Sequence, residues 1–125
     1  MIPQENKVLI IDDDMDLSYL LKEILLQQKL DVVLASNLRE AEAILKKDNF
    51  SMIFLDHHLP DGLGIPFIPT IRAMDDQAKI IVITADPSGA MRQKAIGEGS
   101  TYFLSKPFSI TAVNDVIDTI RVTAG

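Results

Sequence analysis

The sequence predicts an α/β protein: a doubly wound parallel sheet of five strands with five helices on its two faces. Three observations predict this. Five short apolar runs recur along the 125 residues. Segments of helical periodicity separate them, and the connections are only a few residues long. Three of the runs are nearly continuous rather than alternating, as strands covered on both faces should be.

The first run, KVLIID at 7–12, precedes a helix in which Leu17, Leu20, Leu21, Ile24 and Leu25 keep the i, i+3, i+4, i+7, i+8 spacing. DVVLAS at 31–36 leads to a second helix striped by Leu38, Ala41, Ile44 and Leu45, with Asn37 and Glu40 fitting a capping box. FSMIFLD at 50–56 leads into 64–75. There Pro66 and Pro69 are tolerated only if a helix begins near Pro66, where backbone donors lack partners anyway. AKIIVIT at 78–84 precedes a helix over 88–97 with a thin stripe of Met91, Ala95 and Ile96. Asp86-Pro87 reads there as a cap followed by a first-turn proline. TYFLS at 101–105 precedes the last stripe, Ile110, Val113, Ile117 and Ile120, capped by Ser109.

Strand–helix repeated five times gives the flavodoxin-like order 2-1-3-4-5, with a crevice where the carboxyl ends of strands 1 and 3 meet. No internal repeat or linker interrupts it, so residues 1–125 are expected to form one domain with a core at about 7–121. The chain is 47% hydrophobic, and its net charge of −6 argues against gripping nucleic acid or an anionic membrane by itself. It has no cysteine, so a disulfide framework and a thiolate zinc site are excluded. MIPQENK predicts no secretory leader, and no apolar run approaches the ~20 residues of a membrane helix. A soluble, cytoplasmic protein is expected.

The polar residues that end these runs are the informative ones. In LIIDDDMD the first strand runs straight into Asp12, Asp13 and Asp14. Asp56 ends the third strand, Thr84 the fourth, and Lys106 follows the fifth. The strand order sends all of them to one rim of the sheet. Clustered carboxylates repel unless a cation sits among them, and Mg²⁺ with oxygen ligands relieves that repulsion. An open Mg²⁺ site beside a free carboxylate suits phosphoryl transfer, with Lys106 as ammonium and Thr84 as hydroxyl donor.

LIIDDD, FLDHHLPDG, IVITA and the Lys-Pro pair of LSKPF occur in order from about Lys7 to about Arg121. Together they resemble a response-regulator receiver domain of two-component signalling, of the chemotaxis-regulator type. The resemblance implies that Asp56 is the phosphoacceptor, charged by a sensor histidine kinase or a histidine phosphotransfer protein. Asp13 would bind Mg²⁺ directly, Asp12 closely or through water, and the His58 carbonyl would be a further ligand. Thr84 and Lys106 would hold the phosphoryl group with the backbone N–H groups of His58 and Ala85. Small Ala85 would keep the site accessible. Phe103, three residues before the lysine, falls at the switch-aromatic position. Phosphorylation would draw Thr84 in, let Phe103 turn inward and reshape the face of the fourth helix, fifth strand and fifth helix toward an output domain or downstream protein. Such a domain is no enzyme beyond catalysing its own phosphorylation and dephosphorylation.

Taken singly, each residue has an ordinary reading. Asp14 reads as a helix cap, Asp61-Gly62 as turn chemistry, and Phe103 alone as core. His57 and His58 invite an imidazole metal site, but neighbours along a strand point different ways and the chain has no third histidine. A haloacid-dehalogenase-type phosphatase needs a second Asp where His58 stands. An FMN-binding relative needs Ser, Thr and Gly donors where DDDMD stands. A pseudo-receiver serving as a phosphorylation-independent protein-binding module is the remaining alternative. Three features depart from the family pattern. Both positions after Asp56 are His, the residue two past Thr84 is Asp86, and the last helix lacks the Glu and Arg pattern of receivers that dimerise through that face.

Overall fold

The computed structural model describes residues 6–85, 88–99 and 102–124, with side chains to Arg121. Five strands, β1 (Lys7–Ile11), β2 (Asp31–Ala35), β3 (Met52–Asp56), β6 (Lys79–Thr84) and β7 (Tyr102–Ser105), form a parallel sheet in the order β2-β1-β3-β6-β7. This is the expected order 2-1-3-4-5. The register pairs Leu9 with both Val33 and Ile53, Phe54 with Ile81, and Val82 with Phe103.

Strand alternation divides the core into two layers. Leu9, Ile11, Ile53, Leu55, Ile80 and Val82 face one side. They pack on α2 (Leu38–Leu45), α3 (Ile68–Met74) and α4 (Gly89–Gly97) through Ala41, Leu45, Ile71 and Ala95. Val8, Ile10, Phe54, Ile81 and Ile83 face the other side, against Leu21 and Leu25 of α1 (Met15–Gln27) and Val113 and Ile117 of α5 (Ile110–Ala124). Every residue of β3 is buried, which is why its sequence is an unbroken apolar run up to Asp56.

The helix ends follow side-chain chemistry. Asp14 caps α1, accepting from Leu17 N–H at 3.2 Å, and Ser109 caps α5 through Ala112 N–H at 3.0 Å. Asn37 caps α2 through Glu40 N–H at 2.8 Å, but Glu40 reaches back to the N–H of Ser36 rather than of Asn37. The cap of α4 is Ser88, which accepts from Met91 N–H at 3.2 Å. The expected Asp86-Pro87 cap lies outside the described residues. α1 ends with Lys29 at φ 65°, where Lys29 N–H donates to Leu26 and Leu30 N–H to Leu25. That is the double closure of a left-handed helix stop.

Three details differ from the sequence expectation. The α1 stripe is rotated: Ser18 is buried and Leu20 is 44% exposed, because the first turn of α1 closes onto the Asp12 carbonyl, toward which Ser18 Oγ points at 3.4 Å. The helix expected from Pro66 splits into a 3₁₀ turn, Ile65–Phe67, and α3. Pro69 has no N–H to continue the first ladder, so each proline sits in a first turn of its own. Between β3 and that turn lies a hairpin, β4 (His58–Leu59) with β5 (Gly62–Leu63). Strands of two residues carry no periodicity to be read.

Candidate functional site

Asp12 follows the last residue of β1, and Asp56 is the last residue of β3, its hydrogen-bonded neighbour. Both are buried, at 3% and 4% exposure, whereas Asp13 is exposed. One carboxylate oxygen from each of Asp12, Asp13 and Asp56 lies within 4.8 Å of the others. Asp12 Oδ1 accepts from Asp14 N–H at 3.0 Å, which fixes the turn leaving β1. Lys106 enters from beyond β7, its Nζ 3.4 Å from Asp12 Oδ2 and 3.4 Å from Asp56 Oδ2. Its own N–H donates to the Thr84 carbonyl at 2.8 Å, so the ends of β6 and β7 are tied together at the pocket. The Lys106-Pro107 bond is cis.

The electrostatics follow from this crowding. Burial, and then the charge of Asp12, push the Asp56 carboxyl up from 3.8 to about 6, although Lys106 pulls it down. Burial alone would lower the Lys106 pKa, but the charges of Asp12 and Asp56 outweigh it and raise the ammonium above its ordinary value. The pocket thus holds three negative groups against one cation, in a setting that disfavours bare carboxylate at Asp56.

Thr84 closes β6 and is 1% exposed; Ala85 follows it and is exposed. His58, exposed, opens β4 two residues after Asp56. Phe103 lies apart from the acids, mid-strand on β7 and half-buried. The sequence-derived residues Asp12, Asp13, Asp56 and Lys106 are therefore brought into one cluster, with Thr84, Ala85 and His58 at its rim.

Other residues here escaped sequence reasoning. His57 is buried, and its Nδ1 accepts from Ile65 N–H at 3.3 Å while its carbonyl accepts from Gly64 N–H at 2.7 Å. Gly64 passes so close that a Cβ there would lie 2.3 Å from the Asp56 carbonyl oxygen. Asp61 reaches across to the start of α2, accepting from Leu38 and Arg39 N–H at 2.9 and 3.0 Å. Together these bonds hold the segment carrying His58 beside Asp56. The Gly62 and Gly64 spacing was the available signal for the tight return.

The model of the response regulator receiver domain matches residues 8–118. The chain belongs to that family. This receiver domain is 33% identical over 114 residues to the response regulator protein PilR of Pseudomonas aeruginosa, covering 91% of this chain and 26% of PilR. It is 27% identical to sporulation initiation phosphotransferase F of Bacillus subtilis, covering 90% of each. Against CpxR of Escherichia coli it is 33% identical but spans only 44% of that regulator. Among solved structures, the beryllofluoride-activated NtrC4 receiver domain dimer superposes with TM-score 0.89 at 34% identity, covering 96% of this chain and 99% of that one. A two-component response regulator from Clostridium difficile gives TM-score 0.89 at 27% identity, covering 94% and 97%.

Receiver domains are the signalling modules of two-component systems and work with histidine kinases and output domains. The family binds Mg²⁺ in its acidic pocket, and the residues of this receiver domain fit that ion: hard oxygen donors from three carboxylates, one of them driven toward protonation by burial and then by the charge of Asp12. Among the described residues no helix is long and apolar enough to cross a membrane.

Proposed function

We propose that this chain is a phosphorylation-dependent switch, with residues 1–125 as one receiver domain, that accepts a phosphoryl group on Asp56 from a sensor histidine kinase or a histidine phosphotransfer protein. The observation that carries the reading is Lys106 Nζ, 3.4 Å from both Asp12 and Asp56 in a pocket shared with Asp13. In the transfer an Asp56 carboxylate oxygen forms the bond to phosphorus, the phosphorus–nitrogen bond breaks, and the donor imidazole leaves with that electron pair. Mg²⁺, held by Asp12, Asp13, Asp56 and the His58 carbonyl, would neutralise phosphoryl oxygens. Lys106 and the Thr84 hydroxyl orient the group, with the N–H groups of His58 and Ala85, and Ala85 leaves room for the donor.

The added group carries about −1.5 to −2 charges. Lys106 and Thr84 are drawn to it, and the space that Thr84 leaves admits Phe103. The α4–β7–α5 face then changes shape for an output domain or downstream protein. The work is cytoplasmic, and the only chemistry catalysed is the domain's own phosphorylation and dephosphorylation. His58 and Asp86, the latter outside the described residues, set the rate of phosphate loss.

Incubation with acetyl phosphate and Mg²⁺ tests the reading. Intact-mass measurement should show gain of one phosphoryl group by the parent and none by Asp56→Asn. A parent that stays unlabelled is a phosphorylation-independent binding module instead. Timing decay of the labelled form in His58→Ala and Asp86→Ala tests their control of that rate; unchanged decay in both rules it out.

A further inference from the structure

Phe103 faces the α4 side of the sheet and packs against the layer that includes Val82 and Ala95, while Tyr102 and Leu104 face the other layer. The guanidinium carbon of Arg92, on α4, lies 5.1 Å from the centroid of the Phe103 ring. That is the distance of a cation seated over an aromatic face. Little else seats this helix: Ala95 is its buried residue, Met91 is half-buried, and Ile96 is 60% exposed.

On the switch reading above, we propose that Arg92 is a positioning residue whose guanidinium holds Phe103 in its half-exposed rotamer and so opposes the inward turn that phosphorylation favours. A guanidinium on an exposed helix face can cover only a ring that reaches solvent. A ring turned in behind Thr84 leaves Arg92 without an aromatic partner. The cation therefore distinguishes the two arrangements, and a group with differential affinity for two states shifts their populations. Lysine at 92 would be a weaker latch, because an ammonium is more strongly hydrated and does not stack flat.

The test uses the full chain with Mg²⁺, titrated with beryllofluoride and followed by amide NMR. Arg92→Gln should lower the half-saturating concentration about two- to five-fold, the range open to a partly exposed cation–π contact. Arg92→Lys should give a smaller shift in the same direction. On a Phe103→Leu background, Arg92→Gln should have no further effect, a result that general loosening of α4 would not give. Without any ligand, the Arg92 side-chain protons should be shifted upfield by the ring and lose that shift in Phe103→Leu. An unchanged half-saturation in Arg92→Gln, an equal decrease on the Phe103→Leu background, or an absent ring-current shift overturns the inference alone. A parent that shows no response to beryllofluoride overturns the switch reading, and this inference with it.

Discussion

At Asp56, burial and the Asp12 charge act against Lys106, and the carboxyl rises to about 6. A carboxyl whose folded pKa exceeds its unfolded value binds its proton more tightly in the native chain. Its cost to stability is absent below about pH 4 and fully present above about pH 6. Asp56→Asn should therefore be more stable than the parent at pH 7 in divalent-free buffer, by about 1–2 kcal/mol after allowance for solvent screening. The advantage should vanish at pH 4. Urea denaturation at the two pH values checks this, and a variant no more stable than the parent at pH 7 refutes the crowding. Gly64 poses a steric question instead. An alanine Cβ would meet the Asp56 carbonyl oxygen at 2.3 Å and the His57 Cα at 3.1 Å, and both are backbone atoms with little room to yield. Gly64→Ala should lose about 2–4 kcal/mol, read as a lowered midpoint of thermal unfolding. Asp12, Asp13, Asp56, Thr84 and Lys106 were legible in the sequence because each directly follows or ends an apolar run. The Gly64 approach and the His57 bond to Ile65 were not, because they depend on how one short loop folds back in space.

Among the elements, α1 ends on a residue poorly suited to its place. Lys29 holds φ 65°, a left-handed conformation that costs an L side chain roughly 1–2 kcal/mol and costs glycine nothing. Lys29→Gly should raise stability by about 0.5–1 kcal/mol after the entropy of the freer unfolded chain is counted. Thermal unfolding checks it, and a lowered midpoint would show that the lysine stem packs usefully there. The strands were legible from continuous apolar runs, since burial on both faces forbids polar interruptions. The β4–β5 hairpin and the split at Pro69 were not, because two-residue strands and single turns fall below any period. The face of α1 was misjudged at Leu20 because a serine, small enough to approach the Asp12 carbonyl, takes a buried place that apolar spacing assigns to leucine.

For the molecule as a whole, parallel winding sends every strand's carboxyl end to one edge, so residues distant along the chain converge without any local signal linking them. That is why the site was readable only through the topology. The sheet also acts as a partition. Leu45 and Ile117 belong to different layers with β1, β3 and β6 between them. Leu45→Ala and Ile117→Val should therefore destabilise additively within about 0.5 kcal/mol, as denaturation of the two single variants and the double would show. A coupling well beyond that would mean the strands transmit strain from one side to the other. A chain walled in this way can exchange side chains in one compartment without renegotiating those in the other. Its α4 flank and its α1 flank are thus free to diverge at different speeds while the acidic rim between them stays as it is.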